Sequence, residues 1–216
     1  MKNSVFKFTR WMDGLKRNRK TLLFLIILDL IMAVGSTIVD WPWLTGVKWY
    51  VMPFTPICSL YPLTLTIWFS LYYFKKKIPA WYTNFIFIGI VSYGIMAWIY
   101  YPAYISWDGI QFWLVGNIFW VTAYAMQSLI IVSELKRPPA YQYALIIAYF
   151  AFKDYSDRYL GSFIDILKPE FPEWMKNYIW ASIIIIHASV ITLTVKLTSR
   201  RGKKEELMPE YQPAAD

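Results

Sequence analysis

Six long apolar runs, separated by short polar or basic connections, set the pattern of this chain. They cover residues 21–39, 57–74, 80–100, 111–132, 140–161 and 177–197. A helix rising ~1.5 Å per residue needs about 20 residues to cross a hydrocarbon core of ~30 Å, and each run is close to that length. The pattern predicts an all-α fold, a polytopic integral membrane helix bundle with six transmembrane helices. Pro62 lies inside the second run, where membrane helices tolerate proline, and a kink is expected there. Ahead of the first run, Val5, Phe8, Met12 and Leu15 recur at helical spacing among Lys7, Arg10, Lys16 and Arg17. Residues 1–20 read either as a basic helix lying on the inner leaflet or as a disordered leader. Residues 198–216 are basic, then polar and proline-bearing, and are expected to form a disordered cytoplasmic tail.

The first run also imitates a secretory signal peptide, because Ala33-Val34-Gly35 resembles a cleavage site. Its long charged leader and its continuation beyond that site favour an uncleaved helix.

The fifth run departs from the others. Pro138 and Pro139 open it, since proline in a first helical turn gives up only an N–H that has no intrahelical partner. Apolar and aromatic residues then continue to Phe152, apart from Gln142, and Lys153, Asp154, Asp157 and Arg158 follow within six residues. Asp154 falls ~21 Å along such a helix, within the outer third of the hydrocarbon. A charge near the centre of a membrane helix costs on the order of 3 kcal/mol. Two readings stand. In one, the helix ends near Phe152 and the charges are wet. In the other they form a buried polar cluster beneath the outer surface. Asp154 and Asp157 share a face, and spacings of four bring Lys153 to Asp157 and Asp154 to Arg158. The remaining five helices are expected to gather around this one.

Composition and charge sharpen the picture. The chain is 57% hydrophobic and 17% charged, too apolar for an ordinary soluble domain of its size. Its net charge of +8 is divided unevenly among the connections. Lys2, Lys7, Arg10, Lys16, Arg17, Arg19, Lys20, Lys75, Lys76, Lys77, Lys136, Arg137, Lys196, Arg200, Arg201, Lys203 and Lys204 collect on one side. Lys48, Lys168 and Lys176 lie on the other, with Lys153 and Arg158 at its margin. This bias places both termini in the cytoplasm of a multi-pass protein of the cell membrane, with the lipid bilayer as partner. The basic balance is thus explained by topology, with no nucleic acid implied. Trp41, Trp43, Trp49, Tyr50, Tyr100, Tyr101, Tyr104, Trp107, Trp174 and Tyr178 are expected to form an outer interfacial belt.

Candidate chemistry is sparse. Asp29 lies near the centre of the first run and His187 at the middle of the sixth, at similar depth. A neutral histidine beside a carboxylate would stabilise both, and such pairs mark proton or ion routes. Hydrogen bonding of His187 to Ser189, Thr192 or a neighbouring helix is the plainer alternative. The fourth run adds Asn117 in its outer half and Gln127 towards the cytoplasm. With Cys58 the one cysteine and His187 the one histidine, neither a disulfide within the chain nor a metal site is expected, and no cofactor is evident. The phosphate-loop, nucleophile-elbow and zinc-protease motifs are absent, which argues against an enzyme.

Several short stretches carry a family resemblance. They are Asp40-Trp41-Pro42, Tyr93-Gly94-Ile95-Met96-Ala97-Trp98, Gln127 and Lys153-Asp154-Tyr155-Ser156-Asp157. Over about residues 20–197 the chain resembles an uncharacterised prokaryotic multi-pass membrane protein family, a domain of unknown function. The bacillar pattern has a histidine in the fourth span and Asn-Asp where this chain has Lys153-Asp154. Some members are encoded near quinol–cytochrome c reductase genes, which implies subunits of a respiratory complex as partners. Three functions follow as expectations. The first is a small binding or translocation protein with a polar intramembrane cluster. The second is an accessory or assembly subunit of a respiratory complex. The third is a lipid- or quinone-modifying enzyme using the outer carboxylates.

Overall fold

The computed structural model describes residues 14–55, 57–162 and 170–207. Six helices run in order: α1 (Arg19–Leu44), α2 (Ile57–Tyr73), α3 (Ala80–Asp108), α4 (Phe112–Ile131), α5 (Ala140–Tyr159) and α6 (Glu173–Leu207). Short 3-10 turns lie at Met52–Phe54 and Val132–Glu134. The fold is all-α, with no strand among the described residues. Four helices, α1, α3, α4 and α6, are long and apolar enough to cross a membrane. Helix α2 is shorter at 17 residues, and α5 ends in four charges.

The hub of the bundle is α3, a correction to the expectation that the fifth run would hold that place. Helices α2, α4, α5 and α6 all pack against α3, while α1 lies along α2. Two thirds of the apolar segment of α3 is buried (67%), against 17% for α1. The cause is visible in the sequence of α3, which is apolar around its whole circumference: Ile86, Phe87, Ile88, Ile90, Met96 and Ala97 are all buried. The outward side chains of α1, including Phe24, Ile31, Ile38 and Val39, are apolar as well. A bundle with apolar side chains both inside and outside gains little from burial as such. It holds together by close packing and by polar contacts between helices.

Both devices are present around α3. Gly94 lets α4 approach so closely that a Cβ there would lie 2.2 Å from the Cβ of Ala125. Trp68 Nε1 on α2 donates to Thr83 Oγ1 at 3.2 Å. Asn84 Nδ2 donates to the carbonyls of Ala80 at 2.7 Å and Lys136 at 2.8 Å, tying the α4–α5 connection to the start of α3. Lys16, in a helical stretch at 14–17, is buried against Ser133 and Glu134 at the same end. Val5, Phe8 and Met12 lie outside the described residues.

Three further expectations need correction. The third run was expected to end at residue 100, but α3 continues through Pro102 to Asp108. The extension lets Tyr100, Tyr101 and Tyr104 bury their rings, so these three do not serve an interfacial belt. Tyr104 meets Phe171 edge to face at 5.5 Å. The disordered tail was expected from residue 198, yet α6 continues to Leu207, and Thr198 is buried with its hydroxyl 2.6 Å from that of Tyr143. Trp41, Trp49, Tyr50, Trp107, Trp174 and Tyr178 are exposed, as belt residues would be.

The α3–α4 contact can be tested directly. Gly94→Ala is expected to destabilise the protein by about 1–3 kcal/mol through overpacking, and Ala125→Gly in the same chain should recover most of the loss. Thermal unfolding of the three variants in mild detergent checks this. Equal unfolding temperatures for wild type and Gly94→Ala would show that the helices are free to separate there.

Candidate functional site

Three of the four charges at the end of α5 are buried. Lys153, Asp154 and Asp157 are each less than a tenth exposed. The helix therefore does not stop at Phe152. It continues to Tyr159 because each buried charge meets a partner on the spot.

Asp157 is satisfied on both oxygens. Lys153 Nζ lies 2.6 Å from Oδ2, one helical turn away, and Ser162 Oγ donates to Oδ1 at 2.6 Å. Gly161 makes the second contact possible. Its φ of 72° lies in the left-handed region, which turns the chain so that Ser162 N–H bonds back to the carbonyl of Ser156 at 3.3 Å. This group has no open valence on its carboxylate and reads as a structural lock.

Asp154 is different. Its Oδ1 lies 2.7 Å from His187 Nδ1 on α6, and both side chains are nearly buried. Its backbone carbonyl accepts from Trp180 Nε1 at 2.8 Å. The ring of Phe150 lies over the imidazole, with centroids 4.7 Å apart. Asp154 Oδ2 and His187 Nε2 have no hydrogen-bond partner among the described residues. Both residues line a groove of about 440 Å³ between α5 and α6, walled by Ile147, Phe150, Tyr155, Trp180 and Ile184. With Nδ1 protonated and given to the carboxylate, a neutral His187 presents a lone pair at Nε2. The pair then offers two acceptors at the floor of an apolar groove.

The expected pairings are partly redrawn. Lys153 and Asp157 meet as their spacing demands. Asp154 and Arg158 do not, because Arg158 turns outward to Glu173 Oε2 at 2.7 Å and Asn177 Oδ1 at 3.2 Å, leaving Asp154 to His187. Asp29 and His187 do not meet either. Asp29 accepts from Gln127 Nε2 at 3.0 Å, which joins α1 to α4, and neither residue lines the α5–α6 groove. Asn117 lines a separate cavity of about 250 Å³ of mixed polar and apolar lining, shared with Asp40, Cys58, Tyr93, Val121 and Tyr124. Cys58 Sγ and Tyr93 OH are 2.8 Å apart in its wall.

Two residues at the groove and its supporting lock escaped the sequence reading. Trp180 had a signal: it stands two turns before His187, on the same stripe of α6. Ser162 had none, since its role depends on the turn at Gly161. Among the described residues, no three His, Cys, Asp or Glu side chains gather as a metal ion would require. Comparison of the chain with protein-family models, with curated proteins and with solved structures finds no match. The site is therefore read from its own geometry.

Truncating one partner of a buried ion pair leaves the other charge unpaired, at a cost of about 3–5 kcal/mol. Lys153→Ala is expected to destabilise by that amount in chemical or thermal unfolding. Arg158→Ala removes a contact at the exposed margin and should be nearly silent. If the two variants unfold alike, the charges at the end of α5 are solvated.

Proposed function

We propose that this chain is a six-span membrane protein with both termini in the cytoplasm. In this reading it binds a bilayer-borne molecule, one with a hydroxylated ring as head group, in the groove between α5 and α6. The half-satisfied His187–Asp154 pair carries the reading. A buried polar group without a partner costs free energy, so two acceptors left open at the floor of an apolar groove favour a ligand that brings donors. A hydroxylated ring supplies them: one O–H to His187 Nε2, or to Asp154 Oδ2, and a flat face for Phe150 and Trp180. The groove volume of about 440 Å³ suits a single ring and the start of its tail. Quinols are the class that fits this description best. The same class suits the respiratory association that the family resemblance implies. A phospholipid is the weaker fit, because its phosphate brings acceptors where the site already has them.

The orientation rests on charge. The α2–α3 and α4–α5 connections hold Lys75, Lys76, Lys77, Lys136 and Arg137. The contacts of Asn84 with Lys136, Lys16 with Glu134 and Tyr143 with Thr198 gather these basic stretches at one end of the bundle. Such an end belongs in the cytoplasm.

Ligand binding is tested by titrating a short-tailed quinol into the purified protein in mild detergent and following tryptophan fluorescence. Saturable quenching is expected. It should be lost in Trp180→Phe and weakened in His187→Leu. Linear, unsaturated quenching that is the same in wild type and His187→Leu would refute the site. Orientation is tested with single cysteines in a Cys58→Ser background. Ile110→Cys, highly exposed at the α3–α4 turn, should react with an impermeant maleimide on intact cells. Lys76→Cys should react only after permeabilisation. Labelling of both from the same side would overturn the six-span reading.

A further inference from the structure

The contact between α1 and α4 holds a second polar device that the groove does not use. Asp29 is completely buried and Gln127 nearly so. Gln127 Nε2 donates to Asp29 Oδ1 at 3.0 Å. The other two oxygens of the pair, Asp29 Oδ2 and Gln127 Oε1, are both buried and both without a hydrogen-bond partner among the described residues. Both are acceptors if Asp29 is ionised, and two unsatisfied acceptors beside an unneutralised charge are expensive in apolar surroundings. One proton removes all three costs at once. Placed on Asp29 Oδ2, it neutralises the carboxylate and gives Oδ2 an O–H to donate to Gln127 Oε1. Such a bond would close a carboxylic acid–amide ring with two antiparallel hydrogen bonds.

We propose that Asp29 and Gln127 form a proton-binding site within the α1–α4 seam, closed by one proton between Asp29 Oδ2 and Gln127 Oε1 and loaded from the cavity at the Asp40 end. The neighbourhood supports a proton over a metal cation. Hard cations such as Ca²⁺ and Mg²⁺ take about six or more oxygens, and this pair offers two. No charged residue faces Asp29 from the elements around it: α2 has none, α4 has none, and α3 has none before Asp108 at its far end. Lys16 is engaged with Ser133 and Glu134, more than three helical turns from Asp29 along the chain, and Asp40 lies three turns away in the other direction. Tyr124 is the titratable group that interacts with Asp29 from α4, and its hydroxyl accepts from Trp120 Nε1 at 2.8 Å.

The same Tyr124 lines the cavity of about 250 Å³ that also contains Gly35, Ser36, Asp40 and Asn117. Neither Asp29 nor Gln127 lines it, and Tyr124 is the residue that links the cavity to the pair. Loading takes one proton from water in the cavity and places it on Asp29 Oδ2. Release returns it, and the carboxylate charge changes from neutral to −1. No other bond is made or broken.

Infrared difference spectroscopy of the reconstituted protein reads this site without needing an assay of function. At neutral pH the wild type should show the carbonyl stretch of a protonated carboxylic acid, shifting in D2O. Asp29→Asn, which keeps the shape and can still bond to Gln127, should lose that band. Gln127→Leu should move it. Gly35 has open space where its side chain would be, so Gly35→Leu is expected to fill the cavity and slow the D2O shift. A spectrum without the band at neutral pH, or one unchanged in Asp29→Asn, overturns the proposal. So does a band that disappears on adding sodium at constant pH, which would make the ligand a metal cation. Exchange in Gly35→Leu as fast as in wild type would refute loading through the cavity.

Discussion

Charges placed where only protein can solvate them constrain this bundle more than any other feature. Lys153, Asp154 and Asp157 occupy two successive turns of α5, and none of them is reached by the solvent-exposed surface to any useful extent. Removing such groups from water costs several kcal/mol per ion unless geometry and hydrogen bonds compensate. The compensation here is local and complete for Lys153 and Asp157. It fixes the rotation of α5, because Asp157 must face both Lys153 and the hydroxyl of Ser162. It also fixes where the helix ends, since Ser162 reaches Asp157 only through the left-handed turn at Gly161.

The remaining carboxylate sets the partner of α5. Asp154 needs a group from another helix, and His187 supplies it across the antiparallel α5–α6 pair. Contacts at other levels hold the same register: Tyr143 with Thr198 at one end, Trp180 with the Asp154 carbonyl nearby, and Arg158 with Glu173 and Asn177 at the other end. Sliding one helix past the other by a turn would break them together. The contacts zip the pair at its ends and middle, while Ala151 and Ala188, being small, leave the groove between. Rigid walls around an incompletely satisfied dyad are what a binding site requires, because the open valences are then held for a ligand at no further ordering cost.

Much of this was legible in the residues. The apolar runs anticipated all six helices, since long uninterrupted stretches leave little choice of secondary structure. The spacing of four gave Lys153–Asp157. What the pattern does not carry is the identity of neighbours. Asp154 has a basic residue four positions on, yet Arg158 is long enough to reach the exposed Glu173, and the shorter carboxylate is left to a histidine 33 positions away. Equal depth suggested Asp29 with His187, but depth orders residues along the bundle axis only. The arrangement around that axis, with α1 on α2 and α6 on α3, separates them. The central place of α3 was written in its all-round hydrophobicity, a weaker signal to the eye than the charges of α5. Its extension through Pro102 was hidden because proline usually announces an end, whereas here three buried tyrosines outweigh it.

The carboxylates at 29, 154 and 157 can be ranked by what is left open on each. Asp157 has both oxygens bonded and a cation beside it, so nothing further has reason to bind there. Asp154 has one oxygen on His187 and lines the groove. Asp29 has one oxygen on an amide and no cation near it. The residual demand therefore rises from a lock, through a hydrogen-bonding floor, to a group whose demand a single proton meets. Helix α3 packs against both α4 and the α5–α6 pair, so the seam holding Asp29 and the groove holding Asp154 lie on different flanks of one rigid element. A ligand in the groove and a proton in the seam have no side chain in common. The tight Gly94–Ala125 contact between α3 and α4 is one place where a displacement of α3 would reach α4.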